Sequence, residues 1–171
     1  MPSNLEIKTR IASITDAERI ANSIGADFSC IIKQKDTYFK VDSGRLKLRE
    51  FEDNTGELIL YDRDETESRR FSDYNIYSSQ SPESLKEILK KVHGILGVVV
   101  KERMLFLYGD VRIHLDQVVG LGSFLEFEIP VHNSPSDAKK KMIFLIDKFG
   151  IKDSDLIHNS YIDLLKKQES V

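Results

Sequence analysis

The chain has 171 residues, of which 31 % are charged, with 25 Lys and Arg against 28 Asp and Glu. That length fits one domain running from residue 1 to 171 with its own core, and a net charge of −3 argues against a general nucleic-acid binder, which is basic overall. A single cysteine excludes a disulfide framework and a cysteine-based zinc site. The longest apolar runs, near residues 98–100, 104–108 and 142–146, fall far short of a membrane span. The opening MPSNLEIKTR has no apolar core of the kind a secretory leader carries, so a cytoplasmic setting without membrane contact is expected.

In chain order, residues 4–11 alternate as a strand. A helix follows over 14–24, where Thr15 and Glu18 have capping-box spacing and Gly25 marks the stop. Strands are predicted at 28–40, 45–51, 57–63 and 69–76. A second helix spans 82–93, opened by Ser81 and Pro82, with Leu85, Ile88, Leu89 and Val92 on one stripe before Gly94. Strands at 98–108, 111–118 and 124–131 come next. A third helix covers 135–149, and a short one covers 161–167. Eight strands with few helices between them predict an α+β fold built on an antiparallel sheet or barrel, not a doubly wound parallel sheet.

Side chains two apart share a strand face. On that rule Asn4, Glu6, Lys8 and Arg10 oppose Leu5 and Ile7, and Arg45, Lys47 and Arg49 oppose Leu46 and Leu48. Lys101 and Arg103 share a face, as do Arg112, His114 and Asp116, and Glu126 and Glu128. Lys33, Lys35, Arg63 and Arg70 extend the basic set. A sheet with one wet face would also alternate. However, the signs here are segregated rather than mixed, and three helices need the apolar strand faces as packing partners. Helices packed outside a closed barrel would turn the charges into its lumen. A wall of Arg and Lys suits a polyphosphate anion, and all-oxygen carboxylate ligands suit Mg²⁺ or Mn²⁺. The chemistry this implies is metal-assisted attack on a phosphoryl group.

The blocks NLEIKTR, GRLKLRE (44–50), GELILYDR (56–63), RIHLDQVVGLGSFLEFE (112–128) and LIHNSYIDLL (156–165) resemble the CYTH superfamily, the triphosphate tunnel metalloenzymes. The class IV adenylyl cyclase-like and thiamine triphosphatase-like branch is the nearest in likeness. The resemblance implies an eight-stranded antiparallel tunnel and a metal-dependent phosphohydrolase of inorganic or organic triphosphates. An adenylyl cyclase or a weakly catalytic polyphosphate-binding protein stands as the alternative. It implies metal ligation by Glu6, Asp116, Glu126 and Glu128, with catalytic roles for Glu6 and Lys8. Triphosphate binding falls to Lys8, Arg10, Lys33, Arg45, Lys47, Arg49, Arg63, Arg70, Lys101, Arg103 and Arg112. The family's N-terminal E-x-E-x-K falls on Asn4, Glu6 and Lys8, so an amide replaces the first carboxylate. The expected partner is a small-molecule triphosphate, and a homodimer stays open because the family includes dimers.

Several other residues have plainer readings. Cys30 is expected in the core, and His114 in a hydrogen-bonded role. Gly120-Leu121-Gly122 reads as a turn placing the last strand, since no Lys follows it as in a phosphate loop. Lys139–Lys141 reads as a solvated helix face. Tyr61 and Tyr74 are aromatic strand residues whose readings divide between packing and contact with a base or ribose.

Overall fold

A computed structural model describes residues 3–63, 70–132 and 134–171, with side chains for all of these except 3, 63 and 70–73. It contains β1 (Ser3–Arg10), α1 (Ile14–Ser23), β2 (Asp27–Phe39), β3 (Arg45–Glu50), β4 (Gly56–Arg63) and β5 (Arg70–Ser79). These are followed by α2 (Pro82–His93), β6 (Ile95–Tyr108), β7 (Val111–Val118), β8 (Gly122–Pro130), α3 (Pro135–Phe149) and α4 (Tyr161–Glu169). Each predicted element is present, with ends shifted by up to three residues.

The strands close into a barrel in the order β1-β5-β4-β3-β2-β6-β7-β8, and β8 pairs back onto β1. Every pairing is antiparallel. Closure leaves no sheet edge and divides each strand into an inner and an outer face. The outer faces of β1, β7 and β8 supply Leu5, Ile7, Ile113, Leu115, Leu125, Phe127 and Ile129. These form one buried cluster with Ala17 and Ala21 of α1 and Ala138, Met142 and Leu145 of α3. The helices therefore cover the apolar faces, and the polar faces turn inward.

Local chemistry sets the helix ends. Ser13, not Thr15, caps α1, accepting from the Asp16 N–H, so the helix begins one residue before the predicted capping box. Gly150 ends α3 in the left-handed region at φ 64°, a backbone state that costs glycine little. α4 carries a true capping box between Ser160 and Asp163. It docks across one end of the barrel against β6, where Gly97 leaves room: a Cβ there would lie 2.4 Å from Ile162 Cδ1. A second buried cluster (Tyr38, Val99, Val118, Leu121, Phe124, Tyr161 and Ile162) closes that end. Among the described residues no helix is long and apolar enough to cross a membrane. Cys30 is half-buried beside Ser29, not in the core, at a strand irregularity between Phe28 and Cys30.

Candidate functional site

The barrel encloses a cavity of about 410 Å³. Register fixes what faces it. Lys8 lies opposite Glu126 and Glu6 opposite Glu128; His114 also pairs with Glu126, and Arg112 with Glu128. Arg103 lies opposite Asp116, Asp36 opposite Arg49, and Arg49 opposite Glu57. Basic and acidic groups therefore alternate around the lumen.

Two buried carboxylates organise the cations. Asp116 is fully buried and accepts from Arg103 Nε and Nη2, both at 2.7 Å, from Lys101 Nζ at 3.1 Å and from the Tyr161 hydroxyl at 2.8 Å. Burial alone would push its carboxyl up, but Arg103 and Lys101 hold it well below the usual range. Asp36 repeats the arrangement on β2, with β6 between the two carboxylates. It accepts from Arg49 Nε and Nη2 at 2.8 Å and from Lys47 at 2.9 Å, and Arg49 and Lys47 outweigh burial to hold it low. For Lys101 the balance runs the other way: burial, then the neighbouring Arg103, push its ammonium down to about 7.

Tyr161 enters from α4. Its ring lies 4.1 Å from Lys8 Nζ and 5.0 Å from Lys101 Nζ, so one aromatic ring receives two ammonium groups. Burial, with Asp116 and Glu126 beside it, holds its hydroxyl well above the ordinary range, so it remains a donor.

Next to this group on β7 and β8, ligand atoms of His114, Glu126 and Glu128 lie within 4.8 Å of one another. Glu126 is 3.4 Å from Lys8, 3.4 Å from His114 Nδ1 and 3.6 Å from Arg103. Burial would raise its carboxyl, but Lys8 and the His114 hydrogen bond outweigh it and hold it low. Burial, with Arg103 nearby, lowers His114, which leaves a neutral imidazole at neutral pH. Glu128 accepts from Asn4 Nδ2 at 2.7 Å and from Arg112 on the same oxygen. One neutral imidazole and two carboxylates are a donor set that fits a divalent cation.

The sequence-predicted residues divide accordingly. Lys8, Lys47, Arg49, Lys101, Arg103, Arg112, Glu126 and Glu128 line one cavity. Glu6 is buried on the same inner wall and accepts from the Tyr74 hydroxyl. Asp116 is not in the His114 cluster; its oxygens accept from Arg103, Lys101 and Tyr161. Lys33 is on the outer face, 57 % exposed and paired with Glu52 at 3.1 Å, because Gln34, Asp36 and Tyr38 take the inner positions of β2. Arg10 donates to the Leu121 carbonyl at 2.7 Å and Arg45 binds Asp163 at 3.0 Å. Both lie at the α4 end, where they fasten chain segments rather than line the cavity. The side chains of Arg63 and Arg70 lie outside the described residues.

Sequence reading missed Asp36, Glu57 and Tyr161. Asp36 and Tyr38 do show period-two spacing in QKDTYF, a signal hidden by the more numerous lysines. Tyr161 reads only as the start of a helix, since its place in the lumen depends on where α4 docks.

A family model for the CYTH domain matches residues 3–161. No curated protein matches the chain. A Pyrococcus horikoshii protein of known structure, PH1012, is 26 % identical with a TM-score of 0.86, over 94 % of this chain and 98 % of that one. A candidate adenylate cyclase from Vibrio parahaemolyticus is 19 % identical with a TM-score of 0.79, over 95 % of this chain and 97 % of its own. A candidate adenylyl cyclase from Hippeastrum with a dominant triphosphatase activity is 13 % identical with a TM-score of 0.70, over 98 % and 96 %.

Proposed function

This chain belongs to the CYTH domain family, and on that premise we propose that it is a metal-dependent phosphohydrolase that draws the phosphate chain of a small-molecule triphosphate into its tunnel. One observation carries the reading. A single cavity is lined by six cations (Lys8, Lys47, Arg49, Lys101, Arg103 and Arg112) and four carboxylates (Asp36, Glu57, Glu126 and Glu128), and His114 stands behind Glu126 at 3.4 Å. Glu6 and Asp116, buried on the same wall, bring the carboxylates level with the cations, so a divalent ion would supply the positive excess that a triphosphate requires.

Glu126 and Glu128, with His114, are the residues that would hold Mg²⁺ or Mn²⁺. Such an ion neutralises phosphoryl oxygens and lowers the pKa of a bound water. The protein's own groups do the positioning. A guanidinium carries about five N–H donors, so Arg49 and Arg103, each with two donors on its aspartate, keep donors for phosphate oxygens. Asp36 and Asp116 hold both forks rigid, so their aim is set before the ligand arrives. Lys8 is the cation at Glu126 and is assigned to charge that develops on that wall; Glu6, beside Glu128 in register, belongs to the same wall.

An adenylyl cyclase would use the same cavity with a ribose hydroxyl as nucleophile in place of water, and the candidate cyclases among the structural neighbours motivate testing it. The test is to incubate the pure protein with Mg²⁺ or Mn²⁺ and tripolyphosphate, ATP or thiamine triphosphate and to identify the products. Metal-dependent release of phosphate is expected. Cyclic AMP with pyrophosphate would move the assignment to a cyclase. Tight binding without turnover would leave a binding protein.

A further inference from the structure

Among the described side chains, two neighbouring strands carry most of the apolar lining of the lumen. The inner positions of β4 are Glu57, Ile59 and Tyr61, and those of β5 are Tyr74 and Ile76; Ile59 lies opposite Ile76, and Tyr61 opposite Tyr74. The Tyr61 and Tyr74 rings lie 5.6 Å apart between centroids. Pro130, at the end of β8, lines the same cavity. Ile76 points into the cavity yet is 57 % exposed, while Ile59 opposite it is 4 % exposed. Among the described side chains the tunnel thus has a charged arc, running from β3 through β2, β6, β7 and β8 to β1, and a mainly apolar arc on β4 and β5, where Glu57 is the one charge.

We propose that the apolar arc receives the non-phosphate end of the ligand, which makes the preferred ligand an organic triphosphate bearing a flat, largely apolar ring, not bare tripolyphosphate. The inference rests on the triphosphate reading and narrows it. Tripolyphosphate is charged along its whole length and gains nothing from an isoleucine and tyrosine wall. A ring covering Ile76 removes apolar surface from water and can stack on Tyr74. Tyr74 is fixed for this by its hydrogen bond to Glu6. The cavity also has room, since its volume lies within the range of pockets that enclose drug-sized molecules.

The test compares three probes on the purified chain with Mg²⁺: tripolyphosphate, ribose 5-triphosphate and ATP, with affinities measured calorimetrically. ATP should bind roughly tenfold more tightly than ribose 5-triphosphate, the effect of one covered ring. Ile76→Ser should cut the ratio of ATP to tripolyphosphate affinity by about the same factor, and Ile76→Phe should keep or raise it. Because Ile76 is a rim residue, both variants should fold, with far-ultraviolet dichroism as the control. Equal affinities for ATP and ribose 5-triphosphate, or a ratio unmoved by Ile76→Ser, would overturn the apolar-arc assignment while leaving the triphosphate reading standing. Failure of all three probes to bind would overturn both.

Discussion

The Tyr161 hydroxyl donates to Asp116 Oδ2 at 2.8 Å, and this contact joins the C-terminal helix to the charged centre of the barrel. Asp116 also holds Arg103 and Lys101 of β6, so among the described residues the phenol is its one partner contributed by a helix. Tyr161→Phe keeps the ring over Lys8 and Lys101 and removes one donor to a buried charge. The expected loss is about 1.5–3 kcal/mol, read from urea denaturation. A Phe variant as stable as the wild type would mean that α4 is held by apolar contact alone.

Asp116→Asn separates the framework role from metal ligation. It leaves Arg103 and Lys101 buried beside a neutral amide, and breaking such a buried pair costs about 3–5 kcal/mol. The loss should be equally large in chelator and in Mn²⁺. A variant of normal stability whose only defect is a weaker response to metal would return Asp116 to the metal site.

The candidate metal carboxylates predict a different pattern. Glu126→Gln and Glu128→Gln should lower triphosphate turnover at least a hundredfold, about 2.7 kcal/mol of barrier. Turnover like that of the wild type in both variants would remove the assignment.

Stability should bend at both ends of the pH scale. Asp36, Asp116 and Glu126 are held below their ordinary values, so their contribution is complete above the unfolded carboxylate range near pH 4 and falls away as pH drops below it. Lys101 has the opposite sign. Its folded value of about 7 lies below the unfolded 10.5, so the cost of burying its charge is full below pH 7 and is relieved as pH rises toward 10.5. Urea midpoints from pH 3 to 10 should fall steeply on the acid side and climb gently above neutrality. The alkaline climb should be absent in Lys101→Met; if it persists there, another group titrates.

Strand faces were readable where alternation was regular. Glu126 and Glu128, Lys101 and Arg103, and Arg45, Lys47 and Arg49 kept the faces their spacing implied, because two-residue periodicity survives unless the chain slips. β2 shows the limit. It carries register shifts near both ends, and its lysines were more conspicuous than the Asp36 that occupies the inner face. Parity places a residue on a face but not at a height along the barrel, so Arg10 and Arg45 read as tunnel cations although they lie at its closed end. Nor does parity show which charge already has a partner. The spacing of Asp116 says nothing of the Arg103, Lys101 and Tyr161 donors that surround it.

Asn4 gives the sharpest test of the metal wall. Its Nδ2 donates to Glu128 Oε1 at 2.7 Å within a buried inner face, so the amide satisfies Glu128 with no ion present. Asn4→Asp is nearly isosteric but replaces that donor with a second buried carboxylate, and like charges so close repel unless a proton or a cation intervenes. The variant should melt at lower temperature than the wild type in chelator. It should regain most of the difference in Mn²⁺, because an ion that binds only the folded form stabilises it by mass action. The rise in Tm between chelator and saturating Mn²⁺ should therefore be larger for Asn4→Asp than for the wild type, and half-maximal stabilisation should need less metal. Equal Mn²⁺-dependent shifts in the two proteins would show that residue 4 lies away from any bound ion and that the amide serves only to orient Glu128.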